Sequence, residues 1–295
     1  MTVLAHDVPA HPAEQLLLVP GTLLALLAVA CYARGTWVMR RHRRAWRAQR
    51  WRLLAGWAGI AVTAAAVAPP VERFTDDQLF THMLQHMTLI VIAAPLLALA
   101  PGRAVWIGLP RGLRTGPARW LHRPAPTAVR DVLLLPAVAW SVHVGALWAW
   151  HLPAAYDAAL HSAVLHATEH ALFLGTAWLF WWHALTPSRR RLSPPLGALY
   201  LATAMLPMAA LGAILTFAPE PLYPAHATGH AGADALTDQQ LAGLIMWIPA
   251  DVIYFAVAVA LFLSWFIRGS ATAGPLPLDA REDAAAAPVS GGADR

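Results

Sequence analysis

Seven stretches of apolar residues, each about as long as a bilayer core is thick, recur along this chain of 295 residues. They lie at about 16–33, 51–69, 79–101, 131–151, 163–185, 196–218 and 241–267. A helix of roughly 18 to 20 residues crosses a hydrocarbon core about 30 Å thick. In lipid every backbone polar group has to be satisfied without water, which leaves helices or a closed barrel. The period-two alternation of a barrel is absent. The expected fold is therefore all-α, a polytopic membrane bundle of seven transmembrane helices. Charged residues make up 13% of the chain and apolar ones 58%, where a soluble domain carries about 25% charged. The bundle is expected as one domain over residues 16–268. A short N-terminal segment, 1–15, precedes it, and a tail, 269–295, follows it. The tail is rich in Ala, Pro, Gly and acids and reads as disordered. Residues 1–15 lack a basic signal-peptide region, so the first helix is expected to insert uncleaved. Pro20, Pro95, Pro136, Pro207 and Pro249 fall inside the apolar stretches and are expected to kink their helices.

The formal charge of +5 and pI near 10.1 do not indicate nucleic acid, because the basic residues flank apolar spans rather than forming a groove. All the basic residues are arginine. Of the 21, only Arg73 falls outside the first, third and fifth connections and the tail. The positive-inside rule puts those segments in the cytoplasm, so the N-terminus is expected outside, the C-terminus inside and residues 219–240 external. Cys31 is the single cysteine, which excludes an internal disulfide and any multi-cysteine metal site.

Histidine is sorted the other way. His42, His122 and His183 fall toward the cytoplasmic face. His6, His11, His82, His86, His143, His151, His161, His166, His170, His226 and His230 fall outside or in the outer half of the membrane. Ionisable groups at membrane depth are costly and usually functional. His82 and His86 stand four apart in Thr81-His82-Met83-Leu84-Gln85-His86-Met87, a spacing that puts both on one helical face. Met83 and Met87 repeat the spacing on the adjacent stripe. His166 and His170 repeat it on the fifth span, with Glu169 between them. His143 and His151 lie on roughly one face of the fourth span at two depths. Imidazole suits copper, zinc and iron, and thioether sulfur favours Cu(I). Histidine with methionine and without cysteine suits copper in an oxidising compartment.

Blander readings stand beside these. Isolated histidines at an interface, such as His6, His11, His161, His226 and His230, are ordinarily exposed or hydrogen-bonded. Met83 and Met87 also suit plain core packing. Glu169 suits a direct metal role or the fixing of a histidine tautomer or neighbouring helix. Asp251 suits either structural glue or a polar pathway. Trp148, Trp150, Trp181 and Trp182 read mostly as interfacial belts. His166-Ala167-Thr168-Glu169-His170 also matches the H-x-x-E-H signature of a soluble zinc-protease class, but here it lies in a membrane span beside Trp178, Phe180, Trp181 and Trp182.

Four ordered motifs resemble those of the CtaG-type cytochrome c oxidase assembly proteins, the polytopic type associated with caa3 oxidases. They are His82-Met83-Leu84-Gln85-His86-Met87 running on to Pro95-Leu96-Leu97, His151-Leu152-Pro153-Ala154-Ala155-Tyr156-Asp157, His166 with Glu169-His170, and Asp238-Gln239-Gln240-Leu241-Ala242-Gly243-Leu244-Ile245-Met246-Trp247. The resemblance covers about residues 15–268. Where that family often has paired prolines, this chain has Ala94-Pro95. The resemblance implies a non-enzymatic assembly factor in the plasma membrane of a bacterium, with cytochrome c oxidase subunits as partners and a role at copper insertion. On this reading Cu(I) is held at the outer face by His82, His86, His166 and His170. Met83 or Met87 serves as an exchange ligand, and Glu169 and His151 are further candidate metal ligands. A zinc-dependent membrane hydrolase, a haem-binding carrier and a metal or proton transporter stay open as alternatives.

Overall fold

A computed structural model describes residues 12–71, 78–110, 112–114, 127, 131–132, 134–186, 192–223 and 232–272. The expected external N-terminus lies almost wholly outside the described residues, as do the tail after Thr272 and Arg73, Arg189, Arg190 and Arg191. His6, His11, His122, His226 and His230 also lie outside them. Every regular element among the described residues is helical. In chain order these are α1 (Pro12–Arg41), α2 (Arg43–Ala66), α3 (Leu79–Met87), a π-helical stretch (Thr88–Ala93), α4 (Ala94–Leu99), α5 (Gly102–Gly108), α6 (Pro136–Trp150), α7 (Pro153–Leu160), α8 (Ala163–Leu185), α9 (Pro194–Phe217) and α10 (Gly232–Thr272).

Four helical segments are long and apolar enough to cross a membrane: Leu16–Arg41, Leu79–Leu99, Pro194–Phe217 and Ala235–Arg268. The other three expected spans coincide with α2, α6 and α8, which fall short by length or composition. The first turns of α2 carry Arg43, Arg44, Arg47, Arg50 and Arg52. The apolar run of α8 is interrupted by His166, Glu169, His170 and His183. α6 has only 15 residues because Pro136 opens it. The expectation that Pro136 kinks a helix is therefore corrected. It occupies the first helical position, where a missing N–H costs no hydrogen bond. Pro20, Pro207 and Pro249 do lie inside helices. Pro95 falls in the first turn of α4, just after the π-helical stretch.

The arginine-rich first connection is itself helical. α1 runs to Arg41 and α2 begins at Arg43, with His42 extended between them (φ −103°, ψ 96°). α10 begins three residues before its apolar segment, Gly232 against Ala235. Its 41 residues span about 62 Å at 1.5 Å per residue, so one end projects beyond any bilayer core.

Close helix approaches use small residues, as membrane interfaces generally do. A Cβ at Gly243 of α10 would collide with Thr216 and the Gly212 backbone of α9, and one at Gly212 would meet Trp247 and Gly243. Between α1 and α5, a Cβ at Gly35 would overlap the Ala104 carbonyl, and one at Gly108 would overlap that of Cys31. The main core gathers Met83, Ile90, Phe180, Leu201 and Tyr254 from α3, the π stretch, α8, α9 and α10. Trp181 is fully buried there and donates its indole N–H to the Ile90 carbonyl at 3.0 Å. It is a core residue and not part of an interfacial belt. Its bond supplies a partner within the π stretch, whose carbonyls lie out of the ordinary helical ladder. Trp148 is partly exposed and donates to the Pro207 carbonyl at 3.2 Å.

Candidate metal centre

α3 and α8 present their histidine pairs to each other. Four-residue spacing brings His82 and His86 onto one face of α3, with ring centroids 4.4 Å apart. The same spacing brings His166 and His170 together on α8, at 4.2 Å. Across the helix pair, His82 stacks on His166 at 5.3 Å and His86 meets His170 edge-on at 5.1 Å. All four are buried, and Glu169 is 1% exposed in their midst.

The tightest set of ligand atoms differs in one member from the four histidines expected. One atom each from His82, His86, His166 and Glu169 lie within 4.8 Å of one another. The Glu169 carboxylate is 4.0 Å from His86 Nε2. His170 flanks this set. Neither ring nitrogen of His86 and neither oxygen of Glu169 has a hydrogen-bond partner among the described residues. Buried polar atoms in that condition cost several kcal/mol unless something satisfies them. A cation between two helices that supply imidazoles and a carboxylate would do so, and this donor set suits copper or zinc.

His151 ends α6, and its Nδ1 lies 2.7 Å from the Leu147 carbonyl. That bond makes Nδ1 the donor and leaves Nε2, which is buried, as the side offering a lone pair. The rings of His151 and His86 both pack on Phe173, at 6.0 and 4.8 Å. His143, on the same helix, lies away from the centre, with its ring nitrogens 3.2 Å from the Thr176 hydroxyl and 3.4 Å from that of Tyr254. Met83 and Met87 are placed in the hydrophobic core. Asp251 is hydrogen-bonded by the Trp247 side chain of its own helix, which accounts for it structurally.

Several residues that hold this arrangement carry no metal-ligand signature. Asp238, near the start of α10, accepts the Leu79 and Phe80 N–H groups at 2.7 and 3.1 Å. It thereby caps the N-terminus of α3, one turn ahead of His82, where the helix dipole favours a negative charge. Next to it, Gln239 accepts the Leu222 N–H at 2.6 Å and donates to the Leu215 carbonyl at 3.3 Å. Gln85 ties α3 to α2 through the Ala66 carbonyl at 2.8 Å. Tyr223 donates to the His151 carbonyl at 3.0 Å and packs on Tyr156, itself 5.4 Å from His82. Burial pushes the Tyr223 phenol up, with Glu169 and Asp157 adding to it, so the group stays protonated as a donor. The only signal for Asp238 and Gln239 in the sequence was their place in the fourth motif.

The chain matches the family model described as cytochrome c oxidase caa3 assembly factor (Caa3_CtaG) over residues 30–268. No curated protein and no solved structure matches it.

Proposed function

We propose that this chain, which belongs to the cytochrome c oxidase caa3 assembly factor family, takes part in assembly by carrying copper as cargo on its paired-helix histidine cluster. The observation that carries the reading is the convergence of His82, His86, His166 and Glu169 ligand atoms within 4.8 Å in a buried site. His82, His86 and His166 supply nitrogen donors, and Glu169 supplies the negative charge that a bound cation needs inside a low-dielectric interior. His170 and His151 line the approach as exchange donors. Met83 and Met87, one position along α3 from each histidine, offer softer donors only if α3 turns or its core packing opens. Weak, exchangeable ligands suit delivery better than a closed thiolate cage would. The cluster faces the outer side of a bacterial plasma membrane, opposite the arginine-rich ends, and the recipient is an oxidase subunit docked there.

A second reading has its own support. Three imidazoles and a carboxylate make a donor set also used for zinc, so a zinc-dependent membrane hydrolase remains the competitor. Metal analysis of purified protein, with spectra to detect haem, separates the two. Copper at about one equivalent, lost in the His82→Ala/His86→Ala variant, supports carriage. Stoichiometric zinc overturns it. In the same membranes the double variant should insert normally, because it makes α3 more apolar, yet yield less active oxidase. Added copper should restore part of that activity. Unchanged oxidase activity would remove these histidines from the mechanism.

A further inference from the structure

Toward the opposite end of the Leu79–Leu99 span, an apolar cavity that begins about 6 Å along α8 from His170 adjoins a basic notch about 24 Å from it by helix length. The cavity, about 730 Å³, lies between α1, α2, α4, α5 and α8, with Leu97, Gly175 and Trp182 in its wall. Leu24 and Trp178 on its rim are exposed, so it opens sideways, where lipid would lie. Pro101, Gly102 and Thr186 line both this cavity and the notch, whose other walls are Gln49, Arg52 and Arg103. The two spaces therefore share a wall.

Arg52 and Arg103 lie within electrostatic range of each other. Arg52 donates to the Leu99 carbonyl at 2.8 Å and to Gln49 at 3.2 Å. Those bonds fix its guanidinium and leave three of its five N–H donors for another acceptor. Among the described residues no carboxylate pairs with either arginine. Two neighbouring cations without a counterion attract an anion, and a guanidinium fork matches phosphate geometry. The cavity lies within the size range of small-molecule sites, about 300–1,000 Å³. An apolar slot open to lipid, ending at an arginine pair, has the shape and charge of a lipid and its headgroup.

We propose that this is a binding site for an anionic phospholipid, with an acyl chain in the apolar cavity and the phosphate on Arg52 and Arg103. A free phosphate would use the notch alone, and a zwitterionic lipid would bring a phosphate whose charge its own ammonium offsets. The site is independent of the metal centre and survives if the copper reading fails.

The test is native mass spectrometry of the purified, delipidated full chain, titrated with phosphatidylglycerol, with phosphatidylcholine of the same chains, and with inorganic phosphate. Phosphatidylglycerol should bind at least about tenfold more tightly than phosphatidylcholine, as two interfacial arginines imply. Arg52→Gln/Arg103→Gln should abolish that preference, with a smaller loss for phosphatidylcholine, whose phosphate charge its own ammonium offsets. Arg103→Gln alone, which removes no hydrogen bond among the described residues and so spares folding, should reduce it in part. Gly175→Leu should weaken both lipids, because a side chain there enters open space. Equal binding of the two lipids overturns the proposal. So does a preference that survives in both arginine variants, phosphate binding as tightly as phosphatidylglycerol, or a Gly175→Leu protein that binds phosphatidylglycerol as before.

Discussion

Removing the carboxylate of Asp238 tests whether a residue on α10 sets the geometry of a centre on α3 and α8. Two part-buried N–H groups, those of Leu79 and Phe80, depend on it at 2.7 and 3.1 Å. Hydrogen bonds to charged groups contribute about 1.5–3 kcal/mol each, and loss of an N-cap costs about 0.5–2 kcal/mol. Both bonds share one carboxylate and water reaches part of the site, so Asp238→Ala should cost about 2–3 kcal/mol rather than the full sum. That energy is spent on fraying the first turn of α3, the turn that leads into His82. At about 1.4 kcal/mol per decade it corresponds to a roughly 30- to 140-fold rise in the open population of that turn. Asp238→Asn keeps one acceptor oxygen but turns a donor toward the other N–H, so it should lose more than half of the effect. Hydrogen exchange on the peptide spanning residues 78–86 reads the fraying directly, and copper competition against a chelator reads its consequence at the centre. Faster exchange with weaker copper binding is the expected pair of results. Unchanged exchange in Asp238→Ala would refute the capping argument, and faster exchange with unchanged copper affinity would refute its link to the centre.

Gly243→Leu should lower thermal stability by about 2 kcal/mol or more, because the new side chain has to displace Thr216 and the Gly212 backbone. A thermal midpoint equal to that of the parent protein would contradict the close α9–α10 approach. Orientation is tested by a single cysteine at Glu220 in a Cys31→Ala background. An impermeant thiol reagent should reach it from outside only, and labelling from the cytoplasm alone would invert the assignment.

Helical class and membrane character follow from the chain without reference to its packing. Apolar stretches that long leave the backbone no other way to satisfy its polar groups in lipid. The i, i+4 histidine pairs are equally local, since helix geometry alone puts both members on one face. The same geometry turns Met83 and Met87 about 100° away from the histidines, which is why they pack in the core when α3 faces α8. Interrupted spans such as α2, α6 and α8 were harder to read. Arginine, an opening proline and the site's own polar residues dilute the apolar signal in just those helices. Tertiary structure alone decided that the two pairs face each other. The rotation of α8 about its axis then decided that Glu169 enters the tightest ligand set, while His170 flanks it. No local rule links Asp238 to residues 158 and 159 positions earlier. That contact exists because the start of α10 packs against the N-terminus of α3, where amides outside the helical ladder need an acceptor.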